Sequence, residues 1–391
     1  MITIQASQAR YGEKLKSIAR ELHMHPELSM QEHATTALIR SVLQRLGIEE
    51  VDLGLETGVV GLLHGGKPGP LIGLRADIDA LCQHEQTDRP DQSVYDGKMH
   101  ACGHDVHTAG LLGAAMLLAD MREELPGDVA LLFQPAEETL SGARYMLEHG
   151  LLERVHMDAL FGLHNTPHLP VGTIGIKQGH LMAAKDLFCV RITGRGGHSS
   201  APHKNIDPVI AAAAVIQGIH TIVSRNVGPL QSAVVNVSYM QGGSPEDLVV
   251  DEAEIRGSIR THTPEVRKRV LERLEQAASF TAQAYGCTAS CEHESVTPAV
   301  DNTPEMYAIA KRAAAELVGE ANIRTPQLNM ASEDFALFAK RIPGFFYFLG
   351  SGTPGARNYS WHHPQFAAHP DTPVYGAALL AHSVLCAQSM L

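Results

Sequence analysis

Apolar residues along this chain change period several times, and each change marks an element. Residues 8–24 and 31–46 carry apolar side chains at helical spacing, separated by His25-Pro26-Glu27, where the proline breaks the pattern. Gly47 closes the second helix. The period then shortens. Residues 59–64 and 70–79 (PLIGLRADID) read as strands, the latter apolar on both faces until Asp77 and Asp79 appear at its carboxyl end. A parallel strand covered on both sides has this character. Residues 83–99 are polar and form a loop, and 106–124 is rich in Ala and Leu on most faces, as a buried helix would be. Strands follow at 128–134 and 159–163.

From about Ala183 the rhythm differs. Residues 186–193 (DLFCVRIT) alternate apolar and polar, as a strand with one solvated face does. Helices are predicted at 208–224 and 264–285, and strands at 233–240, 253–261 and 288–295. Near Thr297 the chain returns to helices at 304–318, 332–340 and 374–388, with an apolar strand at 345–350. The pattern predicts an α/β fold: a mixed, mostly parallel sheet flanked by helices, interrupted by an inserted two-layer α+β domain of order β-α-β-β-α-β. The expected division is 1–182 with 296–391, and 183–295 for the insertion.

Composition narrows the function. Lys and Arg total 31 against 43 Asp and Glu, a net charge of −12. That balance argues against nucleic acid or an anionic membrane as partner and favours a small-molecule role. The six cysteines lack a disulfide spacing, so reduced thiols in a cytoplasm are expected. No signal peptide and no membrane-spanning run is expected.

The chemistry gathers at predicted strand ends. HACGHDVH, residues 100–107, sets three imidazoles, a thiol and a carboxylate in eight residues ahead of the buried helix. Cys102 and His104 can place sulfur and nitrogen on one ion of zinc, manganese, cobalt or nickel; the alternative is a polar turn capping a helix. Strand 128–134 delivers Glu137 and Glu138, and strand 159–163 ends in His164. Open α/β sheets bind ligands beyond their strand carboxyl ends, so these five groups point to a metal site. His362-His363-Pro364 offers a further histidine, or merely a solvated pair.

HACGHDVH, LRADIDAL (74–81), FQPAEE (133–138), GLHN (162–165), GRGGHSSAPH (194–203), ASEDFALF (331–338) and HHP (362–364) occur together and in order. With ELHMHPELS (21–29), the set resembles the di-metal amidohydrolases that include aminoacylases and carboxypeptidase G. It is most similar to the hippurate hydrolase, indoleacetyl-amino-acid hydrolase and N-acetyldiaminopimelate deacetylase subgroup. The resemblance implies two divalent ions per subunit, with Cys102 bridging, His104 and His164 on one ion, and Glu138 and His362 on the other. His362 is preferred to His363 because it stands two residues before the proline. The resemblance also implies Glu137 as general base, Asp79 as the orienting carboxylate, and His198 as a histidine that reaches the partner's site in a homodimer. The implied substrate is an N-acyl amino acid; a carboxypeptidase or dipeptidase using the same residues is the alternative.

Two positions depart from the family pattern. In GGSPEDLVV (242–250), Asp247 stands where an asparagine that contacts substrate is usual, and Cys82 replaces a proline after LRADIDAL. Arg260 is a candidate to grip a substrate carboxylate, or is a solvated strand arginine.

Overall fold

The computed structural model describes residues 2–391, which form two compact units. Of the described residues, the first comprises 2–179, 301–327 and 334–391, and the second 180–300 with 328–333.

The first unit holds an eight-stranded sheet. Its order is Glu49–Glu50, Val59–Leu63, Val129–Gln134, Ile72–Asp77, Ala159–Pro170, Gly344–Gly352, Ile174–Gly175, Ile323–Arg324. The four central strands, from Val129–Gln134 to Gly344–Gly352, are parallel, while Val59–Leu63 joins antiparallel. Every residue of Ile72–Asp77 and Val129–Gln134 is buried, so both faces of the sheet are covered. Helices His104–Ala119 and Thr372–Met390 are buried almost all round, and their Ala, Leu and Val side chains join the strands in one core.

Sequence explains most element boundaries. Thr303 and Thr263 cap their helices by accepting from the backbone three residues on, Asp207 does so two residues on, and each is followed by proline at the first helical position. The first helix begins at Ile4, earlier than its apolar period implies, because Thr3 caps it through the Ala6 N–H. The helix expected to run to 124 ends at Ala119 and gives way to a 3₁₀ turn, Arg122–Glu124. The one expected at 332–340 contracts to Phe335–Ala339. Asp334 is instead drawn inward by Arg75, Gln134 and the Ala143 N–H.

The second unit has an antiparallel sheet of order Ala233–Gly242, Glu252–Thr261, Ala184–Thr193, Thr288–Thr297. Phe188, Val190 and Ile192 point to one face, where they meet Val215, Ile219, Val270 and Leu274 from two helices. One of those helices, Pro208–Asn226, is long and apolar enough to cross a membrane by composition, but this core accounts for its apolar face. The segment 328–333, expected in the outer domain, belongs here. Arg260 Nη1 donates to Met330 O and Ser332 Oγ, and the Ala183 N–H donates to Ala331 O.

Candidate metal centre

Several elements of the first unit converge on one cluster of donors, buried except for the exposed His362 and the intermediate Glu138. Cys102 lies in the tight turn before the helix that His104 opens. Gly103 between them has φ 84°, and a Cβ there would stand 2.4 Å from Asn165 Nδ2, so only glycine fits. Asp79 lies two residues beyond the strand ending at Asp77. Glu137 and Glu138 leave the strand Val129–Gln134 through a turn in which Ala136 has φ 52°. Gly142 closes that turn, with no room for a side chain against Pro135 O. His164 differs from expectation in one respect. Its strand does not stop at Leu163 but continues to Pro170, so His164 projects from within it.

Two triads share one sulfur. The ligand atoms of Cys102, His104 and His164 all lie within 4.8 Å of one another, and so do those of Cys102, Glu138 and His362. Cys102 Sγ is 3.4 Å from His164 Nε2, and Glu138 Oε2 is 3.3 Å from His362 Nε2. His104 Nε2 is 3.8 Å from Glu138 Oε1 and 4.0 Å from Glu137 Oε2, which places Glu137 at the rim of both triads. His362 comes from far along the chain, with φ 62° and its N–H on Ala101 O.

Around the donors stands a set of hydrogen bonds that fixes which atom each presents. Asp79 Oδ1 is 3.1 Å from His104 Nδ1, so that ring donates there and turns Nε2 inward. Asp79 Oδ2 accepts from Ser29 Oγ and from the Glu138 N–H. His164 Nδ1 donates to Asn165 O, leaving its Nε2 as a bare acceptor facing the thiol. Asn165 in turn donates to Cys102 O, and Trp361 Nε1 donates to Asn165 O. Asp77 accepts from His107 and from Arg75, which also reaches Gln134 and Asp334.

The fit to divalent cations rests on two orphaned atoms. His104 Nε2 and Glu138 Oε1 are buried and have no hydrogen-bond partner. Buried polar atoms are seldom left so. Here they aim at the same space as the thiol. Charge leads to the same conclusion. Burial, then Glu138, Glu137 and Asp77, push the Cys102 thiol well above its ordinary range. Burial alone would depress His104, but Asp77, Asp79 and Glu138 outweigh it and hold the ring at about 10. His164 is driven well below the usual histidine range by burial and by His107. Surplus negative charge, a neutral imidazole and a thiol that resists ionisation unless a cation enters match a metal centre. The donor set of sulfur, nitrogen and carboxylate suits zinc, manganese, cobalt or nickel.

The model of peptidase family M20/M25/M40 matches residues 73–385. The chain belongs to that family. Among its M20 relatives, an N-acetylcysteine deacetylase of Bacillus subtilis is 46% identical over 354 residues, covering 90% of this chain and 91% of that protein. An IAA-amino acid hydrolase of Arabidopsis thaliana, ILR1-like 4, is 37% identical over 372 residues, covering 93% and 83%. The crystal structure of the Bacillus subtilis YXEP protein, a dinuclear metal binding M20 peptidase, superposes with a TM-score of 0.87 at 39% identity, covering 98% of this chain and 100% of that one.

The remaining expected residues lie in the second unit. His198 and Asp247 come together there, because Gly197–His198 pairs antiparallel with Leu248–Val249. Ser199 Oγ donates to Asp247, and His198 Nδ1 accepts from Ser200; His198 and Asp247 are both exposed. Arg260 is half-buried, with its Nη1 on Met330 O and Ser332 Oγ. Sequence reasoning missed Asp77, His107, Asn165, Ser29 and Glu32 as supports of the centre. A signal for His107 existed: it stands three residues after His104 on one helix, hence on the same face.

Proposed function

We propose that this M20 protein is a metal-dependent amidohydrolase that cleaves an N-acyl amino acid into a carboxylic acid and a free amino acid. The observation carrying this reading is the pair of donor triads sharing Cys102, with the carboxylate of Glu137 at their rim. Cys102, His104 and His164 would hold one divalent ion, and Cys102, Glu138 and His362 the other. Two such ions, when bound, acidify a water and polarise an amide carbonyl.

The chain supplies the rest. Glu137, nearly buried, takes the proton of the attacking water and returns it to the departing amine nitrogen. Glu138 cannot share that task, since one of its oxygens faces His362 and the other His104. Asp79 keeps His104 and the Glu138 peptide in register, so base and ligand leave the turn in different directions. His198, exposed in the second unit, supplies a donor to the developing oxyanion of a neighbouring subunit's substrate, as the family resemblance implies. This requires a homodimer. Arg260 is the candidate to grip the substrate's carboxylate, and Asp247 stands where the family pattern has a substrate-contacting asparagine.

The relatives support an acyl amino acid as substrate: one is named an N-acetylcysteine deacetylase and another an IAA-amino acid hydrolase. A second reading, a carboxypeptidase acting on small peptides, draws on thermostable carboxypeptidase 1 of Saccharolobus solfataricus, at 35% identity. The free state of all six cysteines is consistent with a reducing cytoplasm. A panel of N-acetyl, N-benzoyl and indoleacetyl amino acids beside dipeptides, assayed with zinc, manganese, cobalt and nickel, separates these readings. Turnover confined to dipeptides would overturn the first.

A further inference from the structure

We propose that Glu316, His382 and Cys386 form an additional binding site for a zinc-class divalent cation, distinct from the catalytic centre. Glu316 lies on helix Pro304–Val318, and His382 and Cys386 stand one turn apart on Thr372–Met390. That spacing puts an imidazole and a thiol on one helix face, opposite a carboxylate from its neighbour.

The geometry resembles that of the catalytic donors. His382 Nε2 is 2.9 Å and Cys386 Sγ 3.9 Å from the same oxygen, Glu316 Oε2, and all three ligand atoms lie within 4.8 Å of one another. A tetrahedral zinc with ordinary bond lengths separates nitrogen from oxygen by about 3.4 Å and sulfur from oxygen by about 3.6 Å. The observed separations lie on either side of those values. They also span the range seen among the catalytic donors, 3.3 to 3.8 Å between His362, His104 and Glu138. Glu316 Oε1 is held by Arg312 Nε at 2.8 Å, so the carboxylate is oriented and its second oxygen faces the other two groups.

Proton accounting permits the exchange. Without metal, the Nε2–H and the S–H both point at Oε2. On binding, the thiol proton leaves to solvent and the ring proton moves to Nδ1. That nitrogen is buried and has no partner as things stand, so coordination replaces the two hydrogen bonds to Oε2 and the new Nδ1–H gains no acceptor. Burial and Glu316 hold the free thiol at about 11, which makes uptake release a proton and strengthen with rising pH. Sulfur and imidazole select zinc or cobalt over magnesium and calcium. Glu316 is nearly half exposed, which gives the ion an entry path to the buried pair. A bound ion would staple the last helix to its neighbour.

The test uses the full-length metal-loaded enzyme, dialysed against buffered free zinc, with metal counted per chain. Wild type should hold one equivalent more than Cys386→Ala and His382→Gln. Zinc should also slow alkylation of Cys386, read by peptide mass, while leaving the exposed Cys82 unchanged. Cys102→Ala, which addresses the catalytic centre, should leave that protection intact. Equal metal in wild type and both variants, or alkylation of Cys386 indifferent to zinc, would overturn the proposal. Should Cys386→Ala fail to fold, the alkylation rates in wild type and His382→Gln decide alone.

Discussion

Asp79 accepts the Glu138 N–H through one oxygen at 3.0 Å and lies 3.1 Å from His104 Nδ1 through the other. One carboxylate thus sets both the ring of His104 and the peptide of Glu138, the two proposed ligands. Asp79→Asn keeps the size but offers only one acceptor and places an amide where a second is needed. Metal affinity should fall by roughly 10–100-fold, as for other groups that orient metal ligands. Titration of the apo variant with zinc measures it; unchanged affinity would remove Asp79 from this role.

Glu32 anchors the other side of the same turn. Its Oε1 accepts from the Ala136 N–H at 2.9 Å, at a non-glycine residue with positive φ, immediately before Glu137. Losing that anchor would let the turn relax toward ordinary φ and displace Glu137, the proposed base. Glu32→Ala should lower kcat by about 10–100-fold with KM and metal content little changed, since small misplacements of a reacting group cost that much. Glu32→Gln retains an acceptor and should recover most of the rate. Steady-state kinetics with elemental analysis checks both.

These two residues show what was legible in the sequence. Strand ends were readable because apolar runs stop where Asp77, Glu137 and Glu138 begin. The donors Cys102 and His104 could be read because few other reasons set a thiol two residues from an imidazole. Glu32 looked like any polar residue near a helix start, and its partner, the Ala136 N–H, lies 104 residues away, where no local pattern reveals it. His164 was expected at a strand end, but pairing of its strand with Gly344–Gly352 extends it to Pro170. The shortened helix near Asp334 reflects a buried Arg75 partner 259 residues away, beyond the reach of periodicity.

His23 links the first helix to the loop before the centre, between Asp105 and Glu85. Burial alone would lower its pKa, but the two carboxylates outweigh it and raise the ring to about 9. A histidine raised on folding contributes stability that is full below its unfolded value, near 6.5. That contribution is lost as pH rises through about 9. The Tm advantage of wild type over His23→Gln should therefore shrink between pH 6 and 9.5. A constant difference across that window would contradict the charged pair.

The proposed dimer predicts complementation. Glu137→Ala and His198→Ala should each be nearly inactive. After dissociation and random reassociation of equal amounts, half the dimers are mixed, and each mixed dimer has one site with neither defect. Activity should return to roughly a quarter of wild type, as two-fold assortment requires. Mixtures that never exchanged subunits should stay inactive. Verified mixed dimers without recovery would confine His198 to its own chain or exclude it.

Glu137→Gln tests most directly the proposed division of labour between Glu137 and Glu138. The variant keeps size and hydrogen bonding but removes the proton acceptor. Metal content should remain at the wild-type value while kcat falls by roughly 10²–10⁴-fold. A variant that instead loses metal, yet turns over at the wild-type rate when metal is saturating, would contradict the account.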